Sequence, residues 1–205
     1  SGRKIAATFW GQAWCKHLEA YSDYANRLPR GRTYVRNGSV LDLRITAGKV
    51  VALVSGSHLY QIEIRIKSLE TAKWKRMIRA CAGKIDSLIE LLQGKISHHV
   101  MAVLTHQTNG MFPSPRHIAL QCSCPDWAEM CKHVAATLYG VAARLDHQPE
   151  LLFVLRGVDQ ADLLTAGAAL TRKTPPGRKK RPTLKGQDLS QLFNIELAQK
   201  PDAKP

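Results

Sequence analysis

Four side chains that bind soft metal ions lie within twelve residues of one another in the segment CSCPDWAEMCKH. Cys122 and Cys124 form a Cys-x-Cys pair, and after six residues Cys131 and His133 form a Cys-x-His pair. Thiolates and imidazoles are donors that Zn²⁺ prefers, and four of them complete a tetrahedral structural site. The alternative is three buried cysteines beside a surface histidine, which the density of donors disfavours. The spacing therefore predicts one closed, structural zinc site.

Two kinds of local structure would bring these four donors together. Residues 116–124 read as extended, and alternate side chains of an extended segment share one face, so both cysteines of the first pair would point the same way. The second pair would diverge by about 200° inside a regular helix. It converges only where a helix begins, and the apolar spacing of Val134, Leu138 and Val141 predicts a helix over residues 131–145.

A second Cys-Lys-His tripeptide occurs at residues 15–17, without another Cys/His pair nearby. We expect Cys15 to flank the core within a helix, and Cys81 to pack near the end of another helix. The adjacent His98 and His99 have no nucleophile or acid partner that the sequence identifies. Five cysteines, three of them crowded into ten residues, fit metal binding in a reducing compartment better than disulfides.

The elements around the site belong to an α+β fold. Trp10, Trp14, Leu18 and Tyr21 form one apolar stripe, which predicts a helix over residues 9–25. The run RLPRGRTYVRNGS that follows contains Pro29 and Gly31 and reads as a break in helical structure. Alternation then predicts three short antiparallel strands with one buried face, on which Leu41, Leu43 and Ile45 point the same way. Further helices are expected at 69–82, 84–93, 96–107, 149–155 and 159–170.

These elements suggest four segments. Residues 1–68 would hold the first helix and the three-stranded sheet, and residues 69–112 a helical segment packed on it. Residues 113–170 would hold the zinc module and the helices after it. Residues 171–205 are rich in breakers and lack apolar periodicity, which predicts a disordered basic tail. Within this tail, residues 188–198 could form a short amphipathic helix.

The net charge of +14 and the pI near 9.9 indicate a polyanionic partner, most often nucleic acid. Residues 1–170 carry 21 Lys/Arg against 13 Asp/Glu, and residues 171–205 carry nine against three. A solvated charged surface is the alternative interpretation. Phosphate contacts, to DNA rather than RNA, are predicted for three groups of basic residues: Arg27, Arg30, Arg32 and Arg36; Lys73, Lys75, Arg76 and Arg79; and Arg178, Lys179, Lys180 and Arg181.

Other functional classes lack their sequence features. Three Gly-Lys pairs occur, but none is followed by Ser or Thr as the phosphate loop of an ATPase requires. A zinc site with four protein ligands leaves no open position for an activated water, so we expect no enzymatic activity and no small-molecule substrate. Neither a signal peptide nor an apolar stretch of about 20 residues is visible, which predicts a cytoplasmic protein without a membrane partner. The chain begins at Ser1, which suggests that a native N-terminal part is missing.

The Cys-x-Cys…Cys-x-His spacing resembles the SWIM zinc finger, and the segments YSDYANRLPRGR, GMFPSP and CSCPDWAEMCKHVAATLYGVAARLD also resemble bacterial SWIM zinc finger proteins. The resemblance implies a β-hairpin followed by a helix around one Zn²⁺. It also implies that Cys122, Cys124, Cys131 and His133 are the ligands. Bacterial proteins of this kind are associated with SWI/SNF-type helicases, so such a DNA-dependent ATPase is the implied partner.

Two hypotheses for function therefore remain. In the first, the chain binds nucleic acid itself and acts with the ATPase in the bacterial cytosol or nucleoid. In the second, it is an adaptor of the ATPase that does not bind DNA. The tail segment LSQLFNIEL is a possible handle for the adaptor, because amphipathic peptides in disordered tails often fold into a partner's groove. The predicted partner-binding residues are Leu189, Leu192, Phe193 and Ile195. Docking of that segment on the chain's own core is the alternative.

Overall fold

A four-stranded antiparallel sheet is the framework of the protein in a computed structural model that describes residues 4–21 and 26–165. The strands lie in the order β1 (Val40–Thr46), β2 (Lys49–Ser55), β3 (Leu59–Ile66) and β4 (Ile118–Cys122). The first three form the predicted meander. The fourth pairs with β3 although the helices of the middle segment separate the two strands in sequence.

One face of the sheet is buried, as the alternation of apolar residues predicts. Val50, Ile62 and Ile64 are almost fully buried on this face. Leu43 is buried and Ile45 is half-buried, but the prediction for Leu41 is wrong, because its side chain is 62% exposed. The register of β1 against β2 shifts between Val40 and Asp42, so this strand loses simple alternation at its start.

Helix α6 (Lys132–Leu145) packs against the buried face and is itself almost entirely buried. Two N-terminal helices, α1 (Phe9–Glu19) and α2 (Leu28–Arg36), pack against α6. The carboxylate of Asp146 accepts hydrogen bonds from the backbone of Ala7 and Thr8, at 2.5 and 3.0 Å, just before α1 begins. Helix α6 therefore joins the sheet to the N-terminal helices.

The helical conformation of α2 corrects the prediction that RLPRGRTYVRNGS interrupts helical structure. Pro29 lies in the first turn of the helix, where its missing N–H costs no intrahelical bond. Gly31 is buried, and a Cβ atom at this position would lie 2.5 Å from the Cβ of Ala135 on α6. Both residues that suggested a break are therefore used by the helix, one to begin it and the other to let it approach α6.

The remaining elements are short helices and one helical turn, and several of their side chains belong to the core. They are α3 (Thr71–Cys81), α4 (Leu88–Gln93), α5 (His98–Leu104), a 3₁₀ turn (Pro115–His117) and α7 (Leu151–Arg156). The predicted helices at 69–82, 84–93 and 96–107 are thus present with shorter bounds, and the one predicted at 149–155 begins two residues later and ends one residue later. Of the helix predicted at 159–170, residues 159–161 are not helical, a helical turn covers 162–165, and residues 166–170 lie outside the described residues. The rings of Trp10 and Trp74 both meet Phe153 of α7.

The predicted α+β class is confirmed. A single apolar core runs from Ala6 to Leu163, so the predicted segments 1–68, 69–112 and 113–170 contribute to the same core. The tail at 171–205, including the proposed helix at 188–198, lies outside the described residues. Among the described helices, none has the length and apolar character that a membrane span requires.

Candidate metal centre

The four predicted ligands meet at one point of the fold. One donor atom from each of Cys122, Cys124, Cys131 and His133 lies within 4.8 Å of all the others. Zn–S bonds of about 2.3 Å and Zn–N bonds of about 2.0 Å place tetrahedral neighbours about 3.5–3.8 Å apart. The cluster therefore fits one metal ion of zinc's size and donor preference. In the described part of the chain it is the one group of this kind.

Pairing of β4 with β3 positions the first cysteine pair. Cys122 is the last residue of β4 and lies opposite Ile62 of β3. The pairing continues one residue further, because Ser123 donates its N–H to the carbonyl of Gln61 and its hydroxyl accepts from the N–H of Gln61, both at 3.0 Å. The strand thus holds Cys122 rigidly and lets the chain turn immediately after it.

The start of α6 positions the second pair. Cys131 is the N-cap residue, with an extended backbone (φ −77°, ψ 170°), and His133 lies in the first helical turn. The sulfur of Cys131 accepts a hydrogen bond from the backbone N–H of Val134 at 3.5 Å. This geometry confirms the prediction that the Cys-x-His pair converges at the mouth of a helix. The same N–H also stabilises negative charge on the sulfur.

The strands and helix around the donors are β3, β4 and α6. The β-hairpin that the SWIM resemblance implies is not formed by the sequence next to the ligands: within residues 113–131 the structure has a 3₁₀ turn and the single strand β4. The second strand comes from the meander. The metal site and the main sheet are therefore one structural unit.

The loop between the two pairs is fixed from both sides. Asp126 accepts a hydrogen bond from the N–H of Ala128 at 3.2 Å and forms an ion pair at 3.3 Å with Arg27, the residue before α2. Met130 is buried at the end of the loop. Trp127 projects from the same loop and is 93% exposed, whereas Trp10, Trp14 and Trp74 are at most 6% exposed.

Two tyrosines enclose the imidazole of His133. The ring stacks on Tyr60, with centroids 4.2 Å apart, and meets the edge of Tyr34 at 5.4 Å. Its Nδ1 atom faces the cluster, 3.8 Å from the sulfurs of Cys122 and Cys131. The buried Nε2 has no hydrogen-bond partner within the described residues and points towards Gly56, where a Cβ atom would lie 3.2 Å away. Nδ1 is therefore the nitrogen that is placed to bind a metal ion.

Burial governs the protonation of the donors. It raises the pKa of the Cys122 thiol to about 12 and also raises the pKa of Cys131. Burial lowers the pKa of His133; the charge of Lys132 adds to this effect and that of Asp126 opposes it. A bound metal ion would therefore displace protons from the thiols and meet a neutral imidazole. The four donors would supply a structural ion with complete coordination.

The other copy of the tripeptide lies on α1, where Cys15 flanks the core as predicted. Cys15 is half-buried, and burial raises the pKa of its thiol to about 12. His17 is buried and its Nε2 lies 3.1 Å from the carbonyl oxygen of Pro113. Cys81 is fully buried in the last turn of α3. Neither cysteine adds a ligand to the candidate centre.

Comparison with known proteins finds one relative of note. The chain is similar to an uncharacterized protein of Mycobacterium tuberculosis (strain ATCC 25618 / H37Rv), Rv2102, with 38% identity over 168 residues. The matching region covers 80% of this chain and 60% of the relative, so the chain spans about 60% of the relative's length. No protein-family profile matches the chain. No solved structure matches it either.

The four arginines in and just before α2 have different surroundings. Arg27 pairs with Asp126, and Arg32 pairs with Glu19 at 2.5 Å while donating to the hydroxyl of Tyr139 at 2.8 Å. Arg30 and Arg36 are exposed. Two of the four arginines that the sequence suggested for nucleic acid therefore stabilise the fold.

The basic residues of α3 lie on its solvent side. Lys75, Arg76 and Arg79 are exposed, and none of them pairs with an acidic residue of the described chain. Lys73 is half-buried and donates to the carbonyl of Thr108 at 2.6 Å. The remaining predicted residues lie outside the described residues: Arg178, Lys179, Lys180 and Arg181 for nucleic acid, and Leu189, Leu192, Phe193 and Ile195 for a partner.

Sequence reasoning missed the residues that support the ligands. Tyr60, Tyr34 and Gly56 surround His133, but each lies far from it in the sequence. Tyr60 carries only the signal of an apolar position in an alternating strand. The ion pair between Arg27 and Asp126 likewise links distant segments. None of these residues has a local pattern that would distinguish it from an ordinary core or surface residue.

Proposed function

We propose that the chain is a non-catalytic, zinc-stabilised accessory protein of the SWIM type that binds nucleic acid through phosphate contacts. In this proposal it acts with a SWI/SNF-type DNA-dependent ATPase in the bacterial cytosol. The four donors within 4.8 Å of one another carry the proposal, because their types and number suit a closed zinc site. The association with the ATPase rests on the resemblance to SWIM proteins.

A zinc ion at this place would organise a surface. It would link β4 to the start of α6 and so fix the loop that carries Trp127 and Asp126. With three cysteines and one histidine as ligands, every tetrahedral position is occupied by protein, and no water can be activated on the metal. The expected role of the ion is therefore folding energy rather than catalysis.

The exposed face of α3 supports the nucleic-acid part of the proposal. Lys75, Arg76 and Arg79 form this face, which we call the α3 patch. Cations without acidic partners gain most from phosphate, because each contact releases counterions from the nucleic acid. No base-reading geometry within the described residues supports sequence preference, so we propose phosphate contact only.

A DNA-binding titration at several salt concentrations tests this proposal. The zinc-loaded chain with its tail should bind a labelled 20-base-pair duplex, and the affinity should fall steeply as salt rises. The double variant K75E/R79E should bind more weakly. Failure of the intact chain to bind the duplex or its single strand at low salt would eliminate intrinsic nucleic-acid binding.

That failure would leave the adaptor function as the second candidate. The observation in its favour is the exposed Trp127, since large aromatic side chains often anchor protein interfaces. The tail segment with Leu189, Leu192, Phe193 and Ile195 is the other proposed contact. Deletion of residues 186–199 should then abolish co-purification of the ATPase while the zinc content stays at about one ion per chain. Unchanged co-purification would remove this segment from the proposal.

A further inference from the structure

Two adjoining clefts form one groove beside the α2–α6 pair. The first, of about 490 Å³, lies between β1, α2 and α6, and the second, of about 380 Å³, lies between the N-terminal segment, α1 and α2. Lys4, Ile5 and Arg36 line both clefts, so the two lie side by side. We call this feature the α2 groove.

The charges that line the α2 groove are mostly positive. Its basic residues are Lys4, Lys16, Arg32, Arg36, Arg144 and His147, and its acidic residues are Glu19 and Asp42. Both acids already have cationic partners, because Glu19 pairs with Arg32 at 2.5 Å and Asp42 pairs with Arg44 at 3.0 Å. Lys4, Lys16 and Arg144 therefore give the groove a positive charge that these two carboxylates do not neutralise.

Part of the lining of the first cleft is apolar. Gly140 and Ala143 of α6, with Ile5 and Val35, belong to this part. The guanidinium of Arg144 donates to the carbonyl oxygen of Leu43 at 3.3 Å, which holds this side chain along the exposed edge of β1. The groove thus offers fixed cations above a surface on which sugar rings can lie.

We propose that the α2 groove binds the sugar–phosphate backbone of a nucleic-acid strand. Phosphate oxygens would contact Lys4, Lys16 and Arg144, and the sugars would lie on the apolar part of the first cleft. This inference rests on the proposed nucleic-acid function and adds a binding surface separate from the α3 patch. Among the large apolar side chains that line the first cleft, Leu41 is the exposed one, at 62%, so a protein ligand would find one aliphatic anchor among six basic residues.

Charge reversal on three separate surfaces tests the inference. The groove variant is K16E/R144E, the α3 variant is K75E/R79E, and the control is K95E/R116E, which changes the net charge equally at exposed residues outside both surfaces. Each zinc-loaded full chain is titrated with a labelled 20-nucleotide single strand and with the corresponding 20-base-pair duplex, both as DNA and as RNA. Zinc content and melting temperature confirm that each variant is folded.

The groove variant should lose at least about tenfold in affinity relative to the control. The slope of log K against log salt should become shallower by about 1.4 for single strands or 1.8 for duplex DNA, because two phosphate contacts are lost. The four probes identify which nucleic acid supplies the backbone. A groove variant that binds every probe as well as the control overturns the inference.

The outcomes separate this inference from the proposed function. If the intact chain binds none of the probes at low salt, both fail. If it binds, and only the α3 variant is weaker than the control, the proposed function stands and the groove inference fails. Polyglutamate is added as a competitor: if it displaces the probe from the wild-type chain at an equal concentration of charges, the groove recognises acidic chains in general, and the inference fails.

Discussion

The imidazole of His133 stacks on the phenol ring of Tyr60, with the ring centroids 4.2 Å apart and the planes inclined by 27°. Tyr60 lies near the start of β3, and its hydroxyl is 2.8 Å from that of Ser57. The tyrosine is therefore anchored in the β2–β3 turn and presents a flat surface to the histidine. This contact orients Nδ1 towards the cysteines, so the meander contributes to the metal site without supplying a ligand.

Replacing Tyr60 should weaken metal binding. In Y60L the side chain remains apolar but loses its flat ring, so the orientation of His133 is no longer fixed. Loss of a residue that orients a ligand typically reduces metal affinity about 10–100-fold. Competition with a chromogenic zinc chelator measures the change. Y60F keeps the ring and should bind zinc like the wild type; equal affinity in Y60L would show that the stacking does not orient the ligand.

Replacing Cys131 with serine should remove the metal without removing the helix cap. Serine is a favourable N-cap residue, so the start of α6 keeps a hydrogen-bond acceptor while the thiolate is lost. We expect about one zinc ion per wild-type chain and much less in C131S. The melting temperature should fall by about 10 °C or more. In a chain of this size 1 kcal/mol of unfolding free energy corresponds to about 2–4 °C, so this fall means a loss of at least about 2.5–5 kcal/mol with the metal.

The matched control for this change is Cys15→Ser, which makes the same substitution outside the cluster. C15S should retain one zinc ion per chain, because Cys15 lies on α1 and is not among the clustered donors. Chelation of the wild-type protein should reproduce the lower melting temperature of C131S. Stoichiometric zinc in C131S would contradict the proposed ligand set.

The ligand cluster could be predicted from sequence because its information is local. The donor types, the alternation around Cys122 and the helix that starts after Cys131 all lie within one short stretch. The meander could also be predicted from sequence, since side-chain alternation indicates which face of a strand is buried. These features depend on neighbours in the chain, and the structure confirms them.

Features that depend on distant contacts could not be predicted in this way. Gly31 reads as a helix breaker until α6 is placed beside it, because the close approach of Ala135 explains why a glycine suits that position. The bulge that exposes Leu41 is a property of the pairing between β1 and β2. The pairing of β4 with β3 and the stacking of Tyr60 on His133 also join distant parts of the sequence.

Stability should decrease in mild acid, in part because of His17. Burial lowers the pKa of this buried histidine, and the charge of Arg156 adds to the effect, while the hydrogen bond to Pro113 opposes it. In the unfolded chain a histidine has a pKa of about 6.5. As the pH falls below about 6.5, the unfolded state binds a proton at this histidine before the folded state does. The contribution of neutral His17 to the stability of the fold is therefore complete above about pH 6.5 and is lost as the pH falls.

Urea unfolding between pH 7.5 and 5.5 checks this prediction. As the pH is lowered, the free energy of unfolding should decrease less steeply in H17Q than in the wild type. The difference in slope should correspond to the uptake of at most one proton on unfolding. Glutamine keeps a polar group that can donate to the carbonyl of Pro113 but does not titrate. Equal pH dependence in the two proteins would show that His17 is not kept neutral by the fold.

Of the four tryptophans in the chain, Trp127 should be the one whose fluorescence a polar quencher reduces. Its side chain is 93% exposed, whereas Trp10, Trp14 and Trp74 are 0%, 1% and 6% exposed. Iodide should therefore quench one component of the fluorescence and leave the rest nearly unaffected. In W127F the accessible component should be absent, with an unchanged melting temperature because the exposed side chain lies outside the core. Persistence of that component would place another tryptophan at the surface.

Alanine at Gly31 and at Gly140 should have opposite effects on stability. In a helix, replacing glycine with alanine alone stabilises by about 1 kcal/mol. At Gly31 the new Cβ would lie 2.5 Å from the Cβ of Ala135 and 2.9 Å from the backbone nitrogen of Ala136, so α2 and α6 must move apart. Overpacking of this kind costs about 1–3 kcal/mol, which outweighs the helical gain.

At Gly140 a new Cβ would lie 2.8 Å from the terminal Cδ1 of Leu43, and the next nearest atom would be 3.6 Å away. A side-chain end can rotate where a helix backbone cannot. We therefore expect urea unfolding to show G31A less stable than the wild type by up to about 2 kcal/mol, and G140A equal to it or more stable. If G31A were instead more stable than the wild type, α2 would not pack on α6 through Gly31. The position of α2 beside the α2 groove would then also differ from the one described.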